Sequence, residues 1–281
     1  RQRQMCIRDS FHADLVTAVS PNYAAEIVRP EHGQGLDGVL RGLGDRLVGI
    51  LNGIDVDAWN PAHDAHLPAP YSTRRPQGKQ ACKRALLERA GLDADEAAPL
   101  CGMVSRVTSQ KGLDLIGHLL PWLVQRGVRV VLLGSGDTGI LDLFRGAQGS
   151  WPGRVSLLEG YDEALSHLVY AGSDLFFIPS RFEPCGLTQM YAMRYGAVPV
   201  ATAMGGLKDT VLPFDDRRTG GTGVLADWAT DESLRGAIDY ALDLYALPEK
   251  FRRMRRNGMR RDFSWDKSAR AYAALSERLA G

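Results

Sequence analysis

The chain has 281 residues, 44% hydrophobic and 24% charged, a globular composition that excludes disorder and collagen. Lys and Arg number 34 against 33 Asp and Glu, and the net +1 argues against a dedicated nucleic-acid-binding domain. No apolar run approaches the roughly 20 residues of a membrane-spanning helix. The length allows one large or two smaller domains with a core that needs no staples.

Cysteines stand at 6, 82, 101 and 185, with no C-x-x-C pair and no His at ligand spacing. That excludes a disulfide framework and a zinc site and points to a reducing, cytoplasmic compartment. The opening stretch, residues 1–10, is basic with no apolar segment behind it. It is not a secretory signal, fits no element pattern, and reads as a non-native leader.

The first predicted elements are a short strand around Leu15–Val19 and a helix entered through Ser20-Pro21, an N-cap and N1 pair. Residues 29–46 are Gly-rich and loop-like. A strand follows at Leu47–Leu51, ended by the turn signal Asn52-Gly53. The proline-rich, aperiodic stretch from 54 to 78 reads as a linker into a second unit.

From residue 99 the pattern becomes regular. Strands are predicted at 100–104, 128–133, 155–158, 174–179 and 197–201. Helices are predicted at 113–126, 140–145, 163–171 and 187–195, and throughout from 230. All-apolar strands alternating with helices imply a parallel α/β sheet covered on both faces. Such Rossmann-like sheets bind ligands beyond the strand carboxyl ends, so the loops there are the candidate site.

The first loop, Ser105–Gly112, puts Arg106 and Lys111 before a helix, which suits a phosphate or diphosphate, or leaves two solvated charges. The second, Gly134-Ser-Gly-Asp-Thr-Gly139, matches the G-x-G-x-x-G dinucleotide fingerprint, with Glu159 after the next strand. Against an NAD(P) site stand the strand that precedes it and the thin segment from Gly139 to Val155. The third, Ser180–Gln189, projects Glu183 into the crevice beside the amides of Cys185 to Thr188. A carboxylate beside free amides suits a phosphorylated, polyhydroxylated ligand. Cys185 itself reads as a small buried hydrophobe. A fourth loop places Gly205 and Gly206 before a helix.

Together these segments resemble bacterial and plastid glycogen (starch) synthases, retaining glucosyltransferases of the two-Rossmann-domain GT-B fold. SRVTSQKGLDL, PSRFEPCGLTQ and GGLKDT match that family in order, and TAVSP, LNGID and DFSW are similar to it. The resemblance implies ADP-glucose as donor, the 4-hydroxyl of an α-1,4-glucan end as acceptor, and no cofactor or metal. It implies that Arg106 and Lys111 grip the diphosphate and that Glu183 hydrogen-bonds the glucose. Cys185, Gly186, Leu187 and Thr188 would hold sugar and phosphate, and Tyr161 would stack on adenine. Gly134 and Gly136 would line the nucleotide pocket, and Gly205 and Gly206 would approach the donor. Tyr191 stands where related families carry a second Glu.

The resemblance divides the chain into residues 11–55, a remnant of the acceptor-side domain; 56–262, the donor domain; and 263–281, a helix returning to the first domain. On that division the chain binds donor weakly and transfers no glucose alone, with helix 263–281 and residues 11–51 loosely held. Alternatives are a transferase of the same fold using another nucleotide sugar, and a non-catalytic sugar-binding fragment. His167 reads as structural, the basic run 250–261 as a solvated helix face, and Trp228 and Trp265 as packing residues.

Overall fold

The computed structural model describes residues 2–216 and 220–280, and side chains from residue 7 to residue 279 outside that gap, so Cys6 lies beyond the described side chains. The chain opens with α1 (Gln2–His12), β1 (Val16–Ala18), α2 (Pro21–Ile27), α3 (Asp37–Gly42) and β2 (Leu47–Gly49). β1 and β2 pair in parallel, Val16 against Leu47 and Ala18 against Gly49. The predicted cap is present: the Ser20 hydroxyl accepts from the Tyr23 N–H, with Pro21 at the first helical position. Two segments depart from expectation. Residues 2–12 form α1, since no Gly or Pro interrupts them. The Gly-rich stretch contains α3, braced by an Asp37–Arg41 ion pair one turn apart.

The second unit runs α4 (Gly78–Arg89), β3 (Leu100–Val107), α5 (Leu113–Gln125), β4 (Arg129–Gly136), α6 (Thr138–Ser150) and β5 (Val155–Glu159). It continues with α7 (Glu163–Gly172), β6 (Leu175–Ile178), α8 (Thr188–Arg194), β7 (Val198–Thr202), α9 (Gly205–Thr210) and β8 (Val224–Ala226). α10 (Asp231–Tyr245), α11 (Pro248–Met259) and α12 (Trp265–Ala280) end the chain. Its sheet is parallel, in the order β5-β4-β3-β6-β7-β8. Counted within the unit this is 3-2-1-4-5-6, the doubly wound order, whose direction reverses between β3 and β6. α5, α6 and α10 cover one face, and α4, α7 and α8 the other.

α4 and β8 went unpredicted, and α6 is longer than expected. Ile140, Leu141, Phe144 and Ala147 give α6 a buried stripe across the segment that looked too thin for a crossover. α4 escaped because its buried face carries lysines. Lys79 is buried and donates to the carbonyls of Ala171, Ser173 and Tyr195 at 2.8, 3.0 and 2.9 Å. Burial pushes its ammonium well below the ordinary lysine value. Lys83 pairs with Asp174 at 2.6 Å, and Arg255 of α11 reaches the other Asp174 oxygen at 3.1 Å. Arg255 thus takes part of the basic run out of solvent, and Lys250, Arg252 and Arg253 of the same run also sit in ion pairs.

The proline-rich stretch is irregular, as predicted, but it is fastened to the second unit. Trp59 stacks on His167 at 3.8 Å and lies 4.0 Å from Tyr191. The Ile54 N–H donates to the Phe263 carbonyl at 2.8 Å, so the outgoing and returning crossings run side by side. On α12, Trp265, Tyr272 and Leu279 are exposed.

Removing one partner of a buried ion pair strands the other charge. Lys83→Met should therefore cost about 3 kcal/mol, the low end for a broken buried pair because Arg255 still faces Asp174. Urea unfolding checks this, and an unchanged midpoint contradicts it.

Candidate functional site

The reversal between β3 and β6 opens a cleft of about 190 Å³, lined among others by Ser105, Arg106, Lys111, Ser180, Glu183 and Thr188. Gly112 makes it possible. It sits at φ +69°, and a Cβ there would fall 1.9 Å from the Pro179 carbonyl oxygen. Only glycine lets the β3–α5 loop pass this close to the β6–α8 loop. The passage joins residues 72 apart in sequence: Lys111 Nζ donates to Glu183 Oε2 at 2.6 Å. The same oxygen accepts from Ser180 Oγ at 2.9 Å, and the Ser180 carbonyl accepts from Thr202 Oγ1 at 2.5 Å. Arg181 locks the two loops with a two-pronged pair to Asp114, 2.7 Å on each prong. Glu183 is buried, while Arg106 is exposed at the mouth and makes no ion pair among the described residues. The cleft therefore has a cationic mouth and a carboxylate floor, which suits a ligand anionic at one end and hydroxylated at the other.

Thr188 opens α8 and lines the cleft, and the first N–H groups of that helix have no acceptor within it. Cys185 and Leu187 instead pack with Ile54, Met190 and Phe263. Burial raises the Cys185 thiol, in keeping with a packing role. Gly186 sits at φ +71°, where a Cβ would meet the Gln189 side chain at 2.5 Å. Gln189, which the sequence reading passed over, is buried and donates to the Cys185 and Gly186 carbonyls and to Thr210 Oγ1. Gly205 and Gly206 stack against this loop: their Cβ atoms would lie 1.9 Å from the Glu183 carbonyl oxygen and 2.1 Å from that of Cys185. Gly206 N–H donates to Glu183 O at 3.1 Å, and Gly205 N–H to Glu26 Oε1 at 2.8 Å.

Gly134, Gly136 and Tyr161 are one and two strands further along the sheet. Cβ atoms at Gly134 and Gly136 would meet the Ser105 and Val107 carbonyls at 2.2 and 2.1 Å, so these glycines let the ends of β3 and β4 run close together. Tyr161 stands beyond β5, 77% exposed, its ring free to receive a planar partner. The dinucleotide fingerprint follows the unit's second strand, away from the reversal, and Glu159 is bound to Arg145 at 2.7 Å. The topology thus removes the physical basis of an NAD(P) site. His167 is structural: its Nδ1 donates to the buried Asp64 at 2.6 Å. Cys82, Cys101 and Cys185 are unpaired and buried, and no group of three His, Cys, Asp or Glu among the described residues could hold a metal.

Residues 87–261 match the family described as glycosyl transferases group 1, and residues 7–42 match the starch synthase catalytic domain. The chain belongs to the group 1 glycosyl transferases. The sequence is 49% identical to a glycogen synthase of Anaeromyxobacter dehalogenans over 95% of this chain and 56% of that protein. A glycogen synthase of Myxococcus xanthus is 49% identical over 94% of this chain and 54% of its own length. This glycosyl transferase chain thus spans about half the length of the curated relatives it matches. The catalytic domain of starch synthase IV from Arabidopsis thaliana, solved with ADP and acarbose, superposes with a TM-score of 0.91 at 42% identity, covering 97% of this chain and 57% of that one. A sucrose-phosphate synthase from Thermosynechococcus elongatus, 22% identical with a TM-score of 0.70 over 98% of this chain and 61% of that one, shares the fold. The architecture is the GT-B fold.

Burial alone would raise the Asp64 carboxyl, yet hydrogen bonds from Tyr195, His167 and the His66 N–H hold it below the ordinary value. A depressed carboxylate stabilises the fold above its unfolded value of about 3.9 and loses that contribution as pH falls through the lower folded value. Asp64→Asn should therefore unfold more readily at pH 7, and its deficit against the parent should shrink below about pH 4. Urea midpoints between neutral and acid pH measure this, and a pH-independent deficit contradicts it.

Proposed function

We propose that the chain is the donor-binding part of a glycogen or starch synthase. Such an enzyme transfers glucose from ADP-glucose to the 4-hydroxyl at the non-reducing end of an α-1,4-glucan, with retention of configuration. The observation that carries the reading is the cleft at the β3/β6 reversal, where Arg106 and Lys111 stand over the buried Glu183. The similarity to glycogen synthases and to a starch synthase solved with ADP and acarbose supports it. Cytoplasmic location belongs to the same reading, as the relatives are bacterial and no described helix is long and apolar enough to cross a membrane.

Departure of ADP leaves charge on a diphosphate, and two preorganised cations can stabilise that charge. The reaction is accordingly assigned no metal or other cofactor. In this structure Lys111 is paired with Glu183. Arrival of the diphosphate gives Lys111 a doubly anionic partner and frees the Glu183 carboxylate to accept from glucose hydroxyls. Thr188, with the amides of Cys185, Gly186, Leu187 and its own, meets the sugar and the phosphates, while Tyr161 covers the adenine. Gly134 and Gly136 shape the wall beneath the nucleotide, and Gly205 and Gly206 hold the Glu183 loop close to it.

Arg106 is the cleaner probe of the clamp, because Lys111 also neutralises Glu183. Arg106→Ala should weaken ADP binding by about 1.5–3 kcal/mol, the range for a hydrogen bond to a charged group. Titration calorimetry with ADP, ADP-glucose and UDP-glucose measures this. Unchanged ADP affinity removes Arg106 from the site, and a preference for UDP-glucose moves the reading to another transferase of the fold.

A further inference from the structure

Helix α2 belongs to the N-terminal unit, yet it brackets the Glu183 loop. Ser20 Oγ donates to the Pro184 carbonyl at 2.6 Å. The Tyr23 ring meets Phe182 edge-on at 5.5 Å. The Asn22 N–H donates to Asp209 Oδ2 of α9 at 2.8 Å. Residues 182 and 184, on either side of Glu183, are thus both held from outside the second unit.

The fourth contact closes the ring. Glu26 Oε1 accepts from the Gly205 N–H at 2.8 Å and from Asn22 Nδ2 at 2.6 Å. Gly205 is followed by Gly206, whose N–H donates to the Glu183 carbonyl. The chain of contacts runs from a carboxylate on α2, through two consecutive glycine amides, to the backbone of the residue whose side chain faces Lys111. The other Glu26 oxygen, Oε2, is buried without a partner. An orphaned buried oxygen is a cost to the fold, offset here by the two hydrogen bonds that Oε1 accepts. The Gly205 contact also consumes an amide that would otherwise face the loop unpaired.

We propose that Glu26 is a positioning residue for the donor sugar. It sets the backbone of Glu183 from across the boundary between the two units, and itself makes no hydrogen bond or ion pair with Arg106 or Lys111. The proposal deepens the donor-site reading and rests on it. It separates two affinities that a general loss of structure would lower together, because ADP lacks the glucose that Glu183 would contact.

The test compares the parent chain with Glu26→Ala and Glu26→Gln, by calorimetry with ADP and ADP-glucose and by amide hydrogen exchange without ligand. Glu26→Ala should lower ADP-glucose affinity about tenfold, the loss of roughly one buried hydrogen bond, with a clearly smaller loss for ADP. Exchange should quicken in peptides covering 182–188 and 203–208. Glu26→Gln keeps an acceptor oxygen for the Gly205 N–H and should restore both. Equal losses for the two ligands, or parental exchange in Glu26→Ala, overturn the proposal. A parent chain that binds neither ligand removes the donor-site reading, and the exchange data then decide the clasp on their own.

Discussion

The cleft depends on one close approach, that of Gly112 to Pro179. Two strand-to-helix loops cross where the sheet reverses direction, with no room for a side chain between them. Any Cβ at 112 would push the loops apart and separate Lys111 from Glu183. The Arg181–Asp114 pair and the Ser180–Glu183 hydrogen bond then hold what the glycine permits. The geometry of the cleft is thus set by backbone proximity first and by side-chain chemistry second. A buried carboxylate tolerates its position because two donors, Lys111 and Ser180, converge on one oxygen.

Charge burial recurs as the device that fastens peripheral segments to the sheet. Lys79 and Lys83 fix α4, Asp174 ties α4 to α11, and Asp64 pins the proline-rich stretch to His167 and Tyr195. Each contact joins segments distant in sequence, and each carries a desolvation cost that only a full set of partners offsets. The stretch between the two units is therefore a strap, with Trp59 laid across the rings of His167 and Tyr191. Tyr191, 4.0 Å from Trp59, gives the strap an aromatic seat.

Legibility from sequence followed the same division. The all-apolar strands and the loops after them were readable, because a parallel sheet buried on both faces writes itself as unbroken Val, Leu and Ile. Ser20-Pro21 announced α2 for local reasons. α4 was unreadable, since its buried face contains Lys79 and Lys83, whose partners Ala171, Tyr195 and Asp174 lie about 90 or more residues away. Arg106, Lys111 and Glu183 were legible as types of residue after strands. Their convergence came only through the family resemblance, because it follows from strand order, which no local pattern encodes. The fingerprint at Gly134–Gly139 was ambiguous for the complementary reason: Gly134 and Gly136 answer a packing need between β3 and β4 at the spacing of a nucleotide turn.

The glycine pair at 205 and 206 shows how the two units share one site. Both amides are spent inside the protein, on Glu26 and on the Glu183 carbonyl, so neither is left to bind an anion. On the donor-site reading, anion recognition would fall to Arg106, Lys111 and the first turn of α8, all in the second unit. The sugar would meet a loop that α2 grips from the first unit. A rotation of one unit against the other would act first on the backbone around Glu183, which α2 holds through Ser20, Tyr23 and Glu26. On that reading, closure of such a cleft would be coupled to the sugar, whose orientation decides transfer, more than to the nucleotide.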